Sequence, residues 1–304
     1  MYSIIFIIGD LVMIKYPEKL SKGDIIGITA PSQSANLLKI DKAIENLEKF
    51  GFKVKETKNV RNEEKYFVSS DGKTRADEFM SLLEDENIKH IISARGGEFL
   101  FDMIPYLHEY KEKIQNLNDV KYVQGYSDTS LLNFYLTTNY NIATIHAENL
   151  NDFWMKNLEK TQLNVIDIIT ENYKNNEFIQ ESFDKFQLVE YEEGNYNGYN
   201  LTEKVEYKTI NNIKSINVNG RIIGGCIDVL TQLLGTKFDI TKNFCSQFNE
   251  GMIWYLDNCE LTFVELYRRL FQMKMAGWFD NANCILIGRT FVKDVVCEID
   301  IKVA

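Results

Sequence analysis

Buried strand-like runs alternate with helical runs along the first half of the chain, and this alternation constrains the fold more than any other feature. The apolar run 24–30 ends at Pro31, which predicts a buried strand followed by a turn. Apolar residues then recur at helical spacing from Ile40 to Phe50, and Gly51 closes that helix. Strands that alternate with helices indicate a mainly parallel sheet covered on both faces.

Strand-like and helical runs alternate again in the second half of the chain, after a polar stretch rich in Asn, Glu and Tyr. We therefore expect an α/β protein organised around two domains. The predicted divisions are an N-terminal extension (1–12), an α/β domain (13–157), a linker (158–214) and a C-terminal domain (215–304). Further predicted elements are a helix over 75–83, a strand over 88–93, a strand over 252–257, a helix over 263–276 and a strand over 284–288.

Charge and cysteine content restrict the partners and the compartment. The formal net charge of −10 argues against nucleic acid or an anionic membrane as the main partner, because both are polyanionic. The five cysteines form no CxxC pair, which is typical of reduced, buried thiols in a cytoplasmic protein and gives no metal-ligand spacing. The short apolar run near the N-terminus is too short to span a bilayer.

The turn 125–129 (Gly-Tyr-Ser-Asp-Thr) lies between a strand-like run, 120–124, and a helix-like run, 131–136. A serine on a tight strand-to-helix turn presents its hydroxyl, and the helix N-terminus offers N–H groups to a developing negative charge. This pattern favours Ser127 as a nucleophile. A serine that caps the helix, with Asp128 stabilising the first turn, is the alternative interpretation.

A glycine pair, Gly96-Gly97, follows Arg95 and the predicted strand 88–93. Because ligands bind beyond the carboxyl ends of parallel strands, we expect this pair and Ser127 to share one site. Glycine lets a ligand approach the backbone closely, so the pair can offer N–H groups to an oxyanion. A plain turn is the alternative.

Three histidines could supply a base for such a serine. His90 lies inside an apolar strand and is expected in the core, and His108 lies on a polar stretch and is expected in solvent. His146 follows a short apolar run and can face the same crevice as Ser127, although a structural, hydrogen-bonded role is the favoured interpretation.

Acidic residues near the end of a predicted strand in the second half could orient a base. Asp257 ends the run 252–257, and Glu260 follows it closely. A carboxylate that holds the far side of an imidazole is the usual third member of a catalytic triad. Acids at strand ends are also common as solvated or capping groups, so both interpretations stay open.

Taken in order, these segments resemble the LD-carboxypeptidase family of serine peptidases, which includes the muramoyltetrapeptide carboxypeptidases and the microcin C immunity proteins. The resemblance runs from about Leu20 to Arg289. Its motifs are Gly23-Asp24, Ala30-Pro31-Ser32, the stretch from Phe67 to Arg75, Arg95-Gly96-Gly97, Gly125 to Thr129, His146, Gly220 to Gly225, Trp254 to Asp257 and Gly288-Arg289.

The resemblance implies a Ser-Glu-His triad, with the serine at Ser127 and the acid at Asp257. It implies oxyanion donors from the backbone around Gly96, Gly97 and Asp128. It also implies an α/β N-terminal domain with a smaller β-rich C-terminal domain, active as a homodimer without metal or cofactor. The implied reaction is hydrolysis of an amide next to a free carboxylate. In peptidoglycan recycling the product is D-alanine, and the immunity branch cleaves a peptidyl-nucleotide toxin.

Two departures from the family pattern bear on activity. The family acid is usually glutamate, whereas Asp257 is one methylene shorter, and a displacement of about 1 Å can cost about a hundredfold in rate. The family histidine lies in a Gly-His motif beyond the strand that ends at Gly288, and no histidine follows Arg289 here. We therefore expect an impaired peptidase, with a C-terminal domain truncated relative to the family and His146 as a possible substitute base. The alternative is an inactive or truncated relative that at most binds such ligands.

Overall fold

The computed structural model describes residues 13–62, 68–172, 177–187, 197–206, 208–209, 213 and 215–289. The predicted extension 1–12 and the residues after 289 lie outside the described residues. The strands are β1 (Ile25–Thr29), β2 (Lys53–Glu56), β3 (Ile88–Ser93), β4 (Tyr122–Gln124), β5 (Lys185–Phe186), β6 (Glu203–Lys204), β7 (Arg221–Cys226), β8 (Met252–Asp257) and β9 (Ala282–Ile287). The α-helices are α1 (Ile40–Lys49), α2 (Gly72–Glu84), α3 (Ile104–Glu109), α4 (Lys111–Gln115), α5 (Thr129–Tyr140), α6 (Lys160–Ile169), α7 (Ile227–Leu230), α8 (Thr241–Cys245) and α9 (Phe263–Met275).

Four parallel strands form the N-terminal sheet in the order β2-β1-β3-β4. The chain adds β2 on one side of β1 and then adds β3 and β4 on the other, so the direction of winding reverses between β1 and β3. In such sheets the crevice for a ligand opens outside the carboxyl ends of the strands at this reversal. The segments that follow β1, β3 and β4 begin at this edge.

Two hydrophobic clusters cover opposite faces of this sheet. Side chains alternate between the faces along each strand, so Ile91 of β3 belongs to one cluster and its neighbour Ile92 to the other. Helices α2, α3 and α5 contribute to the first cluster, and α1 and α6 contribute to the second. The predicted α/β class, with a parallel sheet flanked by helices, is confirmed.

A second parallel sheet, β7-β8-β9, packs against α5. The contact is aromatic: Phe134 of α5 stacks on Trp278 with ring centroids 5.3 Å apart, and Trp254 of β8 lies 6.0 Å from the same ring. Both tryptophans are fully buried. One continuous core therefore joins the two sheets and brings the carboxyl end of β8 towards the start of α5.

Some predictions for single residues were right and others wrong. His90 is buried in β3 as expected, and its Nε2 lies 2.9 Å from Gln124 Oε1. His108 was expected in solvent, but it is half-buried because Tyr135 and Phe238 pack around its ring. Cys259 was expected to be buried and is exposed. Within the described part of the chain, no helix is long and apolar enough to cross a bilayer.

Candidate active site

Ser127 occupies a strained turn between β4 and α5. Its φ of 59° lies in the left-handed region, which residues other than glycine seldom adopt and which clusters at functional sites. Asp128, with φ of −56°, occupies the N-cap position of α5. The interpretation of Ser127 as the capping serine is therefore wrong, and the turn has the sharp strand-to-helix geometry that exposes a nucleophile.

The glycine pair after β3 lies directly against this serine. A Cβ added to Gly96 would stand 2.9 Å from Ser127 Cβ, 3.1 Å from Ser127 Oγ and 3.6 Å from the backbone nitrogen of Asp128. Gly97 has φ of 151°, and a Cβ there would collide with Ser32 Oγ. The backbone at these two positions thus approaches Ser127 as closely as it does because neither residue has a side chain.

The Asp128 carboxylate ties three loops together beneath the serine. Its Oδ2 accepts hydrogen bonds from Ser32 Oγ at 2.5 Å and from the backbone N–H of Leu100 at 2.9 Å. The side chain is fully buried, and burial raises the pKa of Asp128 to about 6. From the sequence, only its backbone N–H and a stabilising effect on the first turn of the helix were expected, so the contacts of its carboxylate with Ser32 and Leu100 were missed.

Asp128→Asn is expected to remove a pH dependence of stability. The folded-state pKa of about 6 lies above the ordinary value of 3.8, so between these values the folded protein holds a proton that the unfolded chain has lost. The free energy of unfolding of the wild type therefore falls as the pH rises from about 4 to about 6, by up to about 3 kcal/mol. Urea unfolding at several pH values measures this slope.

A matched variant controls for the loss of a carboxyl group. The pKa of Asp77 on α2 is lowered, first by the hydrogen bond from Lys73, so its stabilising effect is already complete above its unfolded-state pKa. Asp77→Asn should leave the slope between pH 4 and 6 unchanged. Parallel curves for the wild type and Asp128→Asn would contradict the assignment.

Arg75, at the start of α2, supports the loops after β1 and β3 from below. Its guanidinium donates to the carbonyl oxygens of Pro31 at 2.8 Å and Phe99 at 3.1 Å, and it pairs with Asp102. The side chain of Arg75 is buried. A buried cation held by two backbone carbonyls fixes the positions of the loops that contact Asp128 and Gly97.

His146 contacts the second sheet through one ring nitrogen and helix α5 through the other. Its Nε2 lies 3.0 Å from Asp257 Oδ2 at the end of β8, and its Nδ1 lies 3.3 Å from Ser130 Oγ in the first turn of α5. The shorter acid at Asp257 therefore still reaches an imidazole. The predicted base and the predicted acid are brought together, although the residue beside Nδ1 is Ser130.

The partners of His146 determine its tautomer. An ionised carboxylate only accepts hydrogen bonds, so His146 Nε2 carries a proton and donates it to Asp257. In the neutral ring Nδ1 then has a lone pair and accepts from the Ser130 hydroxyl. This order of donors matches that of a Ser-His-Asp triad, in which the carboxylate holds one nitrogen and leaves the other basic.

Glycines make room for this arrangement in the C-terminal half. A Cβ added to Gly225 of β7 would stand 2.8 Å from Ser130 Cβ, and one added to Gly288 would collide with Asp257 Oδ1. The loop after β8 is held by Asp228, whose Oδ1 accepts the backbone N–H of Glu260 at 2.7 Å. Of the two candidate acids, Asp257 is the one that contacts His146.

A cavity of about 620 Å³ is lined by Tyr126, the residue before Ser127, and by His146, while Ser127 itself is not among its lining residues. Its lining combines aromatic, aliphatic, acidic and basic side chains, as expected for a site that binds a polar organic molecule. Neither this cavity nor its acids were anticipated from the sequence, because they come from segments far apart in the chain. The lining residues are Tyr126, Ile145, His146, Ala147, Glu148, Asp152, Thr161, Asn164, Val165, Ile168, Gln180, Tyr199 and Arg289.

Comparison with family models identifies the fold. A model described as the LD-carboxypeptidase N-terminal domain matches residues 26–147, and one described as the LD-carboxypeptidase C-terminal domain matches residues 219–298. The chain belongs to the LD-carboxypeptidase family. The first match contains Gly96, Gly97, Ser127 and His146, and the second contains Asp257.

Curated relatives of this family member include two kinds of protein. A probable murein peptide carboxypeptidase of Bacillus subtilis is 26% identical over 272 residues, which are 89% of this chain and 73% of the relative. The microcin C7 self-immunity protein MccF of Escherichia coli is 26% identical over 292 residues, 89% of this chain and 76% of that protein. Sequence similarity therefore reaches both branches named by the resemblance.

Solved structures show the same fold. A structure of MccF in complex with glutamyl sulfamoyl guanosine superimposes with a TM-score of 0.74 at 22% identity, covering 94% of this chain and 84% of that one.

Within the described residues of this LD-carboxypeptidase family member, no group of three or more His, Cys, Asp or Glu side chains is arranged to hold a metal ion.

Proposed function

We propose that this chain is a serine-type carboxypeptidase that hydrolyses an amide next to the terminal carboxylate of a small peptide or peptidyl-nucleotide. The observation that carries the proposal is Ser127, held at φ of 59° between β4 and α5 with its hydroxyl against Gly96. A strained serine at a helix N-terminus, next to a glycine loop, has the nucleophile and the oxyanion donors in one place.

Each residue of the site has a role in the proposed reaction. Ser127 Oγ attacks the amide carbon, and its proton moves to His146 Nδ1, either directly or through a water molecule. The N–H groups of Gly97 and Asp128 stabilise the oxyanion, and Asp257 holds the imidazolium that forms. The leaving amine takes the proton from His146, and a water molecule then hydrolyses the ester on Ser127.

The relatives support two substrate classes for this reaction. The Bacillus subtilis relative is a probable murein peptide carboxypeptidase, which favours a muropeptide with a terminal D-alanine and a place in peptidoglycan recycling. MccF is a microcin C7 self-immunity protein, and its solved complex holds a glutamyl sulfamoyl guanosine, which favours a peptidyl-nucleotide. In the muropeptide the amide lies next to a terminal carboxylate, whereas in a glutamyl sulfamoyl guanosine the amide nitrogen carries a sulfamoyl group.

A second candidate function is binding of such ligands without turnover. The contacts of His146 favour this alternative. A general base must lie within hydrogen-bonding distance of the group from which it removes a proton. The hydroxyl that His146 Nδ1 contacts, at 3.3 Å, is that of Ser130. In this alternative the His146–Asp257 pair only joins the two halves of the fold.

We further propose a cytoplasmic homodimer with an α/β domain over 13–157 and a C-terminal domain over 215–304. The family matches at 26–147 and 219–298 lie inside these ranges. An exposed apolar stripe on α9, formed by Tyr267, Phe271 and Met275, offers a surface for association. Analytical ultracentrifugation of the purified chain tests the dimer.

Release of D-alanine from a muramoyl tetrapeptide by the purified chain tests the proposed activity. A serine peptidase should turn the peptide over many times without added metal and equally well in the presence of EDTA. A peptidyl-nucleotide tested in parallel, with cleavage read by mass spectrometry, identifies the substrate class. Binding of either compound without any cleavage would favour the second candidate.

A further inference from the structure

The two donors of the proposed oxyanion hole come from different loops. The N–H of Gly97 belongs to the loop after β3, and the N–H of Asp128 belongs to the turn between β4 and α5. Both donors must point at the position where the negative charge develops, and a displacement of about 1 Å can cost about a hundredfold in rate. The site therefore needs a contact that fixes one loop relative to the other.

The side chain of Asp128 makes such a contact with the loop that contains the glycine pair. Its Oδ2 accepts the backbone N–H of Leu100 at 2.9 Å, and Leu100 follows closely after Gly97 in the chain. Asp128 thus has two links to the oxyanion hole. Its own N–H is one donor, and its carboxylate holds the loop that supplies the other.

Ser32 provides a second connection between the same two groups. Its hydroxyl donates to Asp128 Oδ2 at 2.5 Å, and a Cβ added to Gly97 would collide with the same Oγ atom. The next residue, Gln33, donates its backbone N–H to the carbonyl oxygen of Gly96 at 3.2 Å. The loop after β1 therefore lies between the carboxylate and the glycine pair and contacts both.

Within the described part of the chain, the hydrogen bonds of this carboxylate go to these two loops alone. Asp128 occupies the N-cap position of α5, but its side chain makes no capping hydrogen bond. The side chain is fully buried, and its second oxygen, Oδ1, has no hydrogen-bond partner among the described residues. A buried carboxylate with an unpaired oxygen is unfavourable for stability. Its contacts with the loops after β1 and β3 are therefore the ones that account for its presence.

We propose that Asp128 acts through its carboxylate as a positioning residue, which sets the separation of the two oxyanion donors by way of Leu100 and Ser32. This inference rests on the proposed function, since it concerns how the oxyanion hole of that reaction is held. It predicts that loss of the carboxylate weakens binding of the transition state and leaves binding of the substrate unchanged. The value of kcat should therefore fall while KM stays nearly constant.

The kinetic test compares three variants with the wild type on a muramoyl tetrapeptide with terminal D-alanine. Asp128→Ala removes both contacts and should lower kcat about 100-fold, with KM changed less than about threefold. Ser32→Ala removes one contact and should lower kcat about tenfold. Asp128→Asn keeps an oxygen that can accept both hydrogen bonds, so its kcat should stay within about fivefold of the wild-type value.

Asp77→Ala is the matched control, because Asp77 also accepts two side-chain hydrogen bonds. It lies on α2 and accepts from Lys73 Nζ at 2.8 Å and from Tyr110 Oη at 2.7 Å. Its partners contribute no contact to the glycine pair, so kcat should equal the wild-type value within about twofold. Urea unfolding shows which variants are folded in the assay, and Ser32→Ala decides the inference if Asp128→Ala does not fold.

A boronic acid separates a positioning role from a general loss of stability. In a tripeptide boronic acid, boron replaces the carbon of the cleaved amide. Ser127 Oγ bonds to boron and gives up its proton, and one oxygen of the tetrahedral boronate then occupies the oxyanion hole. The affinity of Asp128→Ala for this compound should fall by about as much as kcat. The affinity for the tetrapeptide, measured by calorimetry in Ser127→Ala with and without Asp128→Ala, should change less than about threefold.

The outcomes distinguish this inference from the proposed function. An unchanged kcat in folded Asp128→Ala, or in Ser32→Ala where the first variant does not fold, would overturn the inference and leave the proposed hydrolysis standing. If the wild type cleaves no peptide, the proposed function fails, and the affinities for the boronic acid still decide the inference. Equal affinity of the wild type and Asp128→Ala for that compound, or no binding by either, would contradict it.

Discussion

Replacing Ser127 with alanine is expected to lower kcat/KM for release of D-alanine by about 10³–10⁶, the range seen when a serine nucleophile is removed. The variant keeps the oxyanion donors and the cavity, so binding of the tetrapeptide should change little. Its free energy of unfolding should stay constant or rise slightly, because the substitution removes no hydrogen bond essential to the turn. The unfavourable backbone conformation at φ of 59° remains in both proteins. The measurements are steady-state kinetics and urea unfolding of both proteins.

Ser81→Ala is the matched control for this substitution. Ser81 lies in the last turn of α2, is exposed, and donates to the carbonyl oxygen of Glu78 at 2.6 Å. Its kcat/KM should equal that of the wild type. Undiminished release of D-alanine by Ser127→Ala would show that another group carries the reaction.

The second large effect is expected on stability. Arg75→Met should lower the free energy of unfolding by about 2–4 kcal/mol, because the buried carbonyl of Pro31 and the part-buried carbonyl of Phe99 lose their donor. Asp102 loses its partner as well, but its side chain is 60% exposed and regains water. Methionine keeps most of the volume of the arginine stem, so the loss reports on hydrogen bonds rather than on a cavity.

Lys73→Met controls for the loss of a positive charge from the same helix. Lys73 is exposed and pairs with Asp77 one turn away, a contact that solvent screens, so its loss should change the free energy of unfolding little. Equal destabilisation by Arg75→Met and Lys73→Met would mean that the buried hydrogen bonds of Arg75 do not support the loops. Circular dichroism during urea titration resolves the expected difference.

The alternation of strands and helices was sufficient to predict the fold. The run 88–93 became β3 and the run 252–257 became β8, each at the predicted residues. Short buried runs of β-branched residues between amphipathic helices leave few other structures open. The first residue of a helix was harder to predict where a capping side chain determines it. Helix α2, predicted over 75–83, begins at Gly72 because the Asp71 side chain accepts the N–H of Thr74.

The candidate site was predictable only where one local segment defines it. The turn around Ser127 and the glycine pair 96–97 each have a backbone signature in sequence. The contacts of His146 could not be predicted from the sequence, because Ser130 reaches it from α5 and Asp257 reaches it from the second sheet. Whether its Nδ1 faces Ser127 or Ser130 depends on the packing of β7 against α5.

The hydrogen bonds of buried polar side chains could not be predicted from the sequence either. The Asp128 carboxylate binds Ser32 and Leu100, which lie 96 and 28 residues away in the chain. Such a contact has no local signature and appears only once the loops after β1, β3 and β4 are assembled.

Labelling of Ser127 by a fluorophosphonate tests the central claim most directly, namely that Ser127 is a nucleophile activated by His146 and Asp257. Intact-mass spectrometry of the wild type should show one adduct, which peptide mapping places on Ser127 and which is absent from Ser127→Ala. The labelling rate should fall by about 10²–10⁴ in His146→Gln, the contribution expected of a general base. A folded wild type that stays unlabelled, or one labelled at the same rate without His146, would contradict the account.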